Sequence, residues 1–221
     1  MRSASTRFAA SVKIAILGGT GKLGRRLAEG WRRTGHQIVV GTRDPARPRG
    51  DLDAAIALAT YADAAEGADL VVLSVPAERA AALVTEVAHR LAPTAVLLSV
   101  MIPLRPADPT ALDLPAEGST AALVAAHAPA HVSVTAGFHT VAAGEVHAGG
   151  DVLICGQTPA ARALIVGLAR ELGLQPVDCG PLRAAETLER LTPLLIGINR
   201  RYKVRGAGIH ISGVPPDAPA G

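Results

Sequence analysis

The chain has little of several things, and each shortage excludes something. Aromatic residues make up only 2% of 221 positions, so recognition of single-stranded nucleic acid by base stacking has almost no side chains to use. There are two cysteines, Cys155 and Cys179, with neither metal-type spacing nor a C-x-x-C pair. That argues against a cysteine-based zinc site or a dithiol redox motif, and both read as buried thiols in a reducing compartment. No apolar run approaches the roughly 20 residues that a membrane-spanning helix needs. Residues 1–11 are polar and basic without an apolar stretch, so they do not read as a signal peptide, and a cytoplasmic location is expected. Excess positive charge is slight, 22 Lys and Arg against 19 Asp and Glu. It gathers only at 43–49 and 199–205, which gives no continuous basic face for nucleic acid and suits small anionic molecules instead.

What is present is apolar and periodic. Hydrophobic residues make up 49% of the chain, enough for a substantial core. Residues 12–17 (VKIAIL) form a short β-branched run that stops at glycine and read as a buried parallel strand. Leu23, Leu27 and Trp31 then share one helical face, Gly35 ends the helix, and 37–40 (QIVV) form a second strand. The alternation continues with a helix over 51–65, a strand over 69–75, a helix over 77–91 and a strand over 95–100. An irregular Pro-rich stretch covers 101–114, followed by a helix over 119–128 and a strand over 131–136. Beyond Gly137 come a strand over 151–155 and a helix over 158–172 with Thr158 as cap and Pro159 in its first turn. A strand over 174–178, a long helix over 182–203 containing Pro193, and a short strand over 209–212 complete the pattern. This implies an α/β fold, a Rossmann-type doubly wound parallel sheet with a small C-terminal α/β lobe. The expected division is a tail at 1–11, a nucleotide-binding domain at 12–137, a small lobe at 138–213 and a tail at 214–221.

The turn between the first strand and helix reads Gly19-Thr20-Gly21-Lys22-Leu23-Gly24. A lone G-x-G-x-x-G is a weak signal, but here it follows a strand and opens a helix. Gly19 is expected to make the tight turn. Gly21 lets backbone approach a pyrophosphate, Gly24 lets the helix pack on the strand, and the helix start supplies N–H groups for phosphate. No G-K-[ST] stands at the Walker spacing. The second strand ends Gly41-Thr42-Arg43-Asp44-Pro45-Ala46-Arg47. An NAD site places an acid at this strand tip, whereas Thr42, Arg43 and Arg47 suit the extra phosphate of NADP(H). Asp44 alone stands at the distance expected of an NAD acid, and the two flanking arginines outweigh it.

Three segments resemble the NADPH-dependent reductases of coenzyme F-420, an 8-hydroxy-5-deazaflavin. They are Ile16-Leu-Gly-Gly-Thr-Gly-Lys-Leu-Gly24 with Val39-Val-Gly-Thr-Arg43, then Ala136-Gly-Phe-His-Thr-Val-Ala-Ala143, and Leu191-Thr-Pro-Leu-Leu-Ile-Gly-Ile-Asn-Arg-Arg-Tyr-Lys203 with Ala207-Gly-Ile209. The resemblance runs from Val12 to Val214 and implies hydride transfer between NADP(H) and the deazaflavin in a cleft between two lobes. It implies that Thr20, Gly21, Lys22 and Leu23, with Thr42, Arg43 and Arg47, hold the phosphates, and that Val75, Pro76 and Ala143 line the nicotinamide side. It further implies that Val141, with His139 and Thr140 beside it, faces the deazaflavin, and that the Ala207-Gly208-Ile209 backbone touches its far end. Relatives suggest a homodimer.

Direct hydride transfer needs two rings held about 3–3.5 Å apart and dry, with little acid–base machinery. No obligatory catalytic residue and no metal ligand is therefore expected. His139 either polarises the acceptor or serves as a structural hydrogen-bonder. The basic cluster at 199–203 either answers a helix dipole or reaches an acidic coenzyme tail. Two other functions stay open on the residues: an NADPH-dependent reductase of a flavin, ferric chelate or small imine, and an NADP(H)-sensing module without turnover.

Overall fold

A computed structural model of the protein describes residues 11–47, 52–141 and 150–215. The first βαβ unit is β1 (Lys13–Leu17), α1 (Lys22–Arg33) and β2 (Gln37–Gly41), with β1 and β2 parallel. The other strands are β3 (Ala57–Ala59), β4 (Leu70–Leu73), β5 (Val96–Ser99), β6 (Leu104–Arg105), β7 (Asp108–Leu112), β8 (Ser133–Gly137), β9 (Asp151–Gly156) and β10 (Gln175–Asp178). The other helices are α2 (Tyr61–Ala65), α3 (Ala80–Val87), α4 (Thr120–His127), α5 (Pro159–Glu171) and α6 (Ala185–Tyr202). Eight strands form one sheet in the order β10-β9-β8-β5-β4-β1-β2-β3, a Rossmann-type doubly wound arrangement whose chain order reverses between β1 and β4.

The two-residue period of a strand sorts side chains to opposite faces. Ile14 and Ile16 pack with Leu27 and Trp31 of α1 and with Ile165 and Leu168 of α5. Ala15 and Leu17 pack with Tyr61, Leu83 and Val124 from α2, α3 and α4. Val152 and Ile154 of β9 join the first of these cores, so the later strands extend the sheet that the early ones begin. Trp31 donates its indole N–H to the Leu168 carbonyl (3.0 Å) and meets Phe138 edge-on at 6.0 Å. His36 accepts the Val12 N–H at Nδ1 (3.2 Å), which leaves Nε2 to donate to the buried Glu171 carboxylate at 2.6 Å.

Four expectations need correction. The helix expected over 51–65 is instead β3 followed by α2, with residues 48–51 outside the described part. The alanine-rich run at 57–59 pairs with the open edge of β2, and Thr60 then caps α2 by accepting the Asp63 N–H at 3.2 Å, so pairing overrides local helix preference. The stretch over 101–114 is not wholly irregular, because β6 and β7 form an antiparallel ribbon with a register shift at Leu104/Arg105. The strand expected over 209–212 forms no ladder; single bonds to the backbone and side chain of Asp151 hold that segment. Finally, the sheet is not all parallel, since β9 runs antiparallel to β8. The described residues of the connection from 138 to 150 contain no crossover helix, so the chain re-enters the sheet at the edge it left.

One long-range cap holds α6 to α4. Glu189, fully buried in α6, accepts the Thr120 and Ala121 N–H groups at 2.9 and 3.1 Å and so fills the start of α4 from 69 residues away. Burial pushes the carboxyl up from its ordinary 4.5 to about 7, against the downward pull of those two bonds. The folded value is the raised one, so stability from this group is complete below pH 4.5 and is lost as pH rises toward 7. Glu189→Ala, which strands both donors, is expected to cost about 2–4 kcal/mol. Glu189→Gln is expected to lose less stability than the wild type between pH 5 and pH 8, as read by denaturant melts at both pH values.

Candidate functional site

The chain order reverses between β1 and β4, and the place outside the carboxyl ends of those strands is where such sheets take ligands. The turn after β1 is packed tightly into it. Gly18, not Gly19, adopts the left-handed conformation (φ +86°), and a Cβ there would lie 2.5 Å from the Ser74 carbonyl oxygen after β4. Gly19 faces the Val40 methyls, which a Cβ would approach to 2.9 Å. Gly24 rests on the Gly19 α-carbon, and a Cβ there would lie 2.7 Å away. The sequence assigned Gly24 its role correctly and placed the tight turn one residue late.

Gly21 is different. Its φ of −72° suits any residue, and a Cβ would meet only the Gly18 carbonyl oxygen at 3.5 Å, an ordinary contact. Nothing among the described residues requires glycine there, and the space beside it is open. Gly21 is also the N-cap of α1, which has no side-chain cap and no acid in its first turn. The first N–H bonded inside the helix is that of Arg25 to the Gly21 carbonyl (2.9 Å), so the N–H groups of Lys22 to Gly24 precede the ladder. An uncapped helix start with a Cβ-sized gap beside it fits a pyrophosphate.

The tip of β2 lies alongside. The Gly18 N–H donates to the Gly41 carbonyl (3.0 Å), and the Thr42 N–H donates to Ala59 of β3 (2.9 Å), which seats Thr42 in a buried position. Arg43 and Arg47 are exposed beyond it. Asp44 turns its carboxylate to the Ala46 N–H (3.1 Å), closing its own turn. Val75, buried, packs against Gly18, and Pro76 opens the 3-10 turn at 77–79. The structure thus brings Gly19, Thr20, Gly21, Lys22, Leu23, Thr42, Val75 and Pro76 to the same end of the neighbouring strands β1, β2 and β4. Ala143 lies outside the described residues.

Farther along the same edge sits His139, just past the end of β8. It is 4% exposed, and neither ring nitrogen has a hydrogen-bond partner among the described residues. Burial pushes its pKa down from 6.5 to about 4, and the nearby Met101 carbonyl, outside hydrogen-bond geometry, offsets this in part. The imidazole is therefore neutral at pH 7, able to donate from one nitrogen and accept at the other. The Ser99 hydroxyl at the end of β5, the neighbouring strand, is likewise buried and unpartnered. Thr140 is buried and donates to the Asp151 carbonyl (3.0 Å), while Val141 is partly buried against the core. Ala207 donates its N–H to Asn199 Oδ1 (3.0 Å), and Gly208 lies against Gly150.

Sequence reasoning missed a cavity of about 440 Å³ beside Ala77, lined also by Ile102, Pro103, Leu104, Glu78 and Leu123. The proline-rich stretch over 101–114 was its signal. The basic cluster at 199–203 resolves into separate parts: Asn199 holds Ala207, Arg200 lies 3.9 Å from Asp108, and Lys203 ends α6 in the left-handed conformation. Among the described residues no His, Cys, Asp or Glu cluster is arranged to hold a metal, and no helix is long and apolar enough to cross a membrane.

The sheet, the switch point and the glycine turn define a dinucleotide-binding protein of the Rossmann type. A family model described as coenzyme F-420-dependent NADP oxidoreductase matches residues 13–103. The F-420-dependent NADP reductase of Methanocaldococcus jannaschii is 31% identical over 91% of this chain and 98% of that protein. That of Methanothermobacter thermautotrophicus is 30% identical over 92% of this chain and 96% of its own length. The chain belongs to this family of F-420-dependent NADP reductases. A solved Arthrobacter structure, provisionally described as an F-420-dependent NADP reductase, superposes with a TM-score of 0.82 at 28% identity. It covers 91% of this chain and all of that one. A pyrroline-5-carboxylate reductase from Coxiella burnetii shares the fold alone, at 15% identity, a TM-score of 0.62, and 87% and 69% coverage.

Three outcomes follow from this geometry. Gly21→Ala is expected to leave thermal stability within about 2 °C of wild type and to weaken NADPH binding about tenfold or more, because only the ligand's space is filled. Gly24→Ala should instead lower stability, through the 2.7 Å clash with Gly19. For His139 the folded pKa is the depressed one. Stability from the neutral ring is present above pH 6.5 and lost as pH falls toward 4. Unfolding curves at pH 7 and pH 5 should show a smaller difference for His139→Gln than for wild type.

Proposed function

We propose that the protein transfers a hydride between NADP(H) and the 8-hydroxy-5-deazaflavin coenzyme F-420. The observation that carries this reading is a pair of unmet demands on one edge of the sheet. One is the bare start of α1 beside Gly21, and the other is the buried imidazole of His139 with no partner for either nitrogen among the described residues. The first fits a dinucleotide phosphate, and the second fits the polar edge of a second ring that covers it.

In this reading residues 12–137 hold the nucleotide and 138–213 complete the deazaflavin cleft. Thr20, Gly21, Lys22 and Leu23 hold the pyrophosphate, Lys22 and Leu23 through backbone N–H groups and Gly21, whose own N–H is bonded to the Gly18 carbonyl, by leaving space; Thr42, Arg43 and Arg47 hold the ribose phosphate. Val75, Pro76 and Ala143 flank the nicotinamide. His139, Thr140 and Val141 face the deazaflavin, and the backbone of Ala207, Gly208 and Ile209 touches its far end. When bound, the two cofactors supply the redox chemistry itself, a hydride passing from one ring to the other. The protein's part is to orient them, exclude water and keep side chains small where the rings must meet. Neutral His139 hydrogen-bonds the acceptor without exchanging a proton. The reading takes the protein to be a cytoplasmic homodimer with small-molecule partners only, paired through the α6 face that exposes Leu194.

The test is to follow NADPH absorbance with oxidised deazaflavin, FMN or ferric citrate in turn. Consumption with the deazaflavin alone is expected, and consumption only with one of the others overturns the reading. Arg43→Ala is expected to raise the Kd for NADPH about tenfold while leaving NADH nearly unchanged, as measured by titration. An unaltered NADPH affinity removes Arg43 from the site.

A further inference from the structure

Asp151 is an acid at the head of an otherwise apolar strand, 5% exposed, and no site role falls on it in the reading above. Its position follows from the antiparallel join. Because β9 runs against β8, its first residue lies at the edge where His139 and Thr140 leave β8. Asp151 spends every polar group it has on the segments around it. Its N–H donates to the Ile209 carbonyl (2.8 Å), and its carbonyl accepts the Thr140 hydroxyl (3.0 Å). One carboxylate oxygen accepts the Ile211 N–H, and the other lies 3.3 Å from His210 Nδ1. Just before it, Gly150 packs against the Gly208 α-carbon.

The segment from 203 to 215 belongs to no helix or strand. A segment without a ladder is placed by whatever individual bonds it makes. Among the described residues, Val204 and Ala207 are bonded to Asn199, and Ile209 and Ile211 are bonded to Asp151. The bond from a buried carboxylate to the Ile211 N–H is charge-assisted and the stronger kind. The surface ion pair with His210, whose side chain is 80% exposed, adds little. On the opposite flank the Thr192 hydroxyl donates to the His139 carbonyl (2.7 Å). Asp151 is therefore bonded both to Thr140 and to the segment at 209–211.

We propose that Asp151 is a positioning residue for the deazaflavin, clamping the Thr140 and Ile209 segments at the separation that admits its ring. This rests on the proposed function and deepens it. Asp151 touches no reacting atom; it sets where the groups that touch the ring stand, and a displacement of about an ångström there is costly. Substrate affinity, not nucleotide affinity, is the quantity it governs.

The test compares Asp151→Asn with wild type in three steps. Wild-type turnover with NADPH and deazaflavin is read first, and its absence sinks the proposed function rather than the clamp. In Asp151→Asn, which keeps both backbone bonds and loses the charged acceptor, the KM for deazaflavin is expected to rise about tenfold or more. The Kd for NADPH should stay within about twofold and kcat at saturating deazaflavin within about threefold. An unchanged KM overturns the clamp, and so does an equal loss of NADPH affinity, which would mark Asp151 as merely structural. Should the variant fail to fold, amide exchange on the wild-type protein decides. The Ile211 N–H is expected to exchange slowly and to slow further when deazaflavin is added, and exchange at the free-peptide rate overturns the proposal.

Discussion

Everything at the nucleotide crevice depends on how closely the Gly18 backbone approaches the Ser74 carbonyl. No side chain fits there, and the left-handed turn it permits sends the chain over the end of β4 into α1. Two bonds fix the approach from either side: the Ser74 N–H to the Leu17 carbonyl at 2.8 Å and the Gly18 N–H to the Gly41 carbonyl at 3.0 Å. The start of α1 is thereby held against the tips of β2 and β4 together. Its partly charged N–H groups are aimed before any ligand arrives, so binding need not order them.

The antiparallel join has a comparable effect on the other half of the site. Had β9 run parallel, its first residue would lie at the far edge of the sheet. Running backward, it meets Thr140 and lets a segment with no secondary structure of its own be held in place by single bonds. The two halves of the edge solve different problems. One leaves the backbone N–H groups of a helix start uncapped, and the other places a few buried polar groups near an uncharged imidazole. Neither arrangement requires a proton donor or a nucleophile.

Much of the fold was legible because its signals are local. The run at 12–17 ending in glycine, the face shared by Leu27 and Trp31, and the Thr158-Pro159 start of α5 all act within a few residues of themselves. The misses are of another kind. Gly18 and Gly19 are indistinguishable in the sequence, and only Ser74, brought by β4, decides which takes the positive φ. The alanines at 57–59 become a strand because β2 offers an open edge. Asp151, Glu189 and the His36–Glu171 pair each act on partners 50 or more residues away, where no periodicity points. At the end of β1, glycine spacing pointed to the bare start of α1. The unpartnered state of His139 and the clamping bonds of Asp151 exist only once strands are neighbours.

Trp31 is the only tryptophan, and it lies at a junction of these parts. Its indole N–H is tied to α5 through Leu168, and its ring abuts Phe138, whose positive φ begins the turn into His139. The protein consequently carries one indole fluorophore, shielded from water, whose emission senses α5 on one side and the turn into His139 on the other. A single optical signal can thus report on both of these neighbours without any label being introduced.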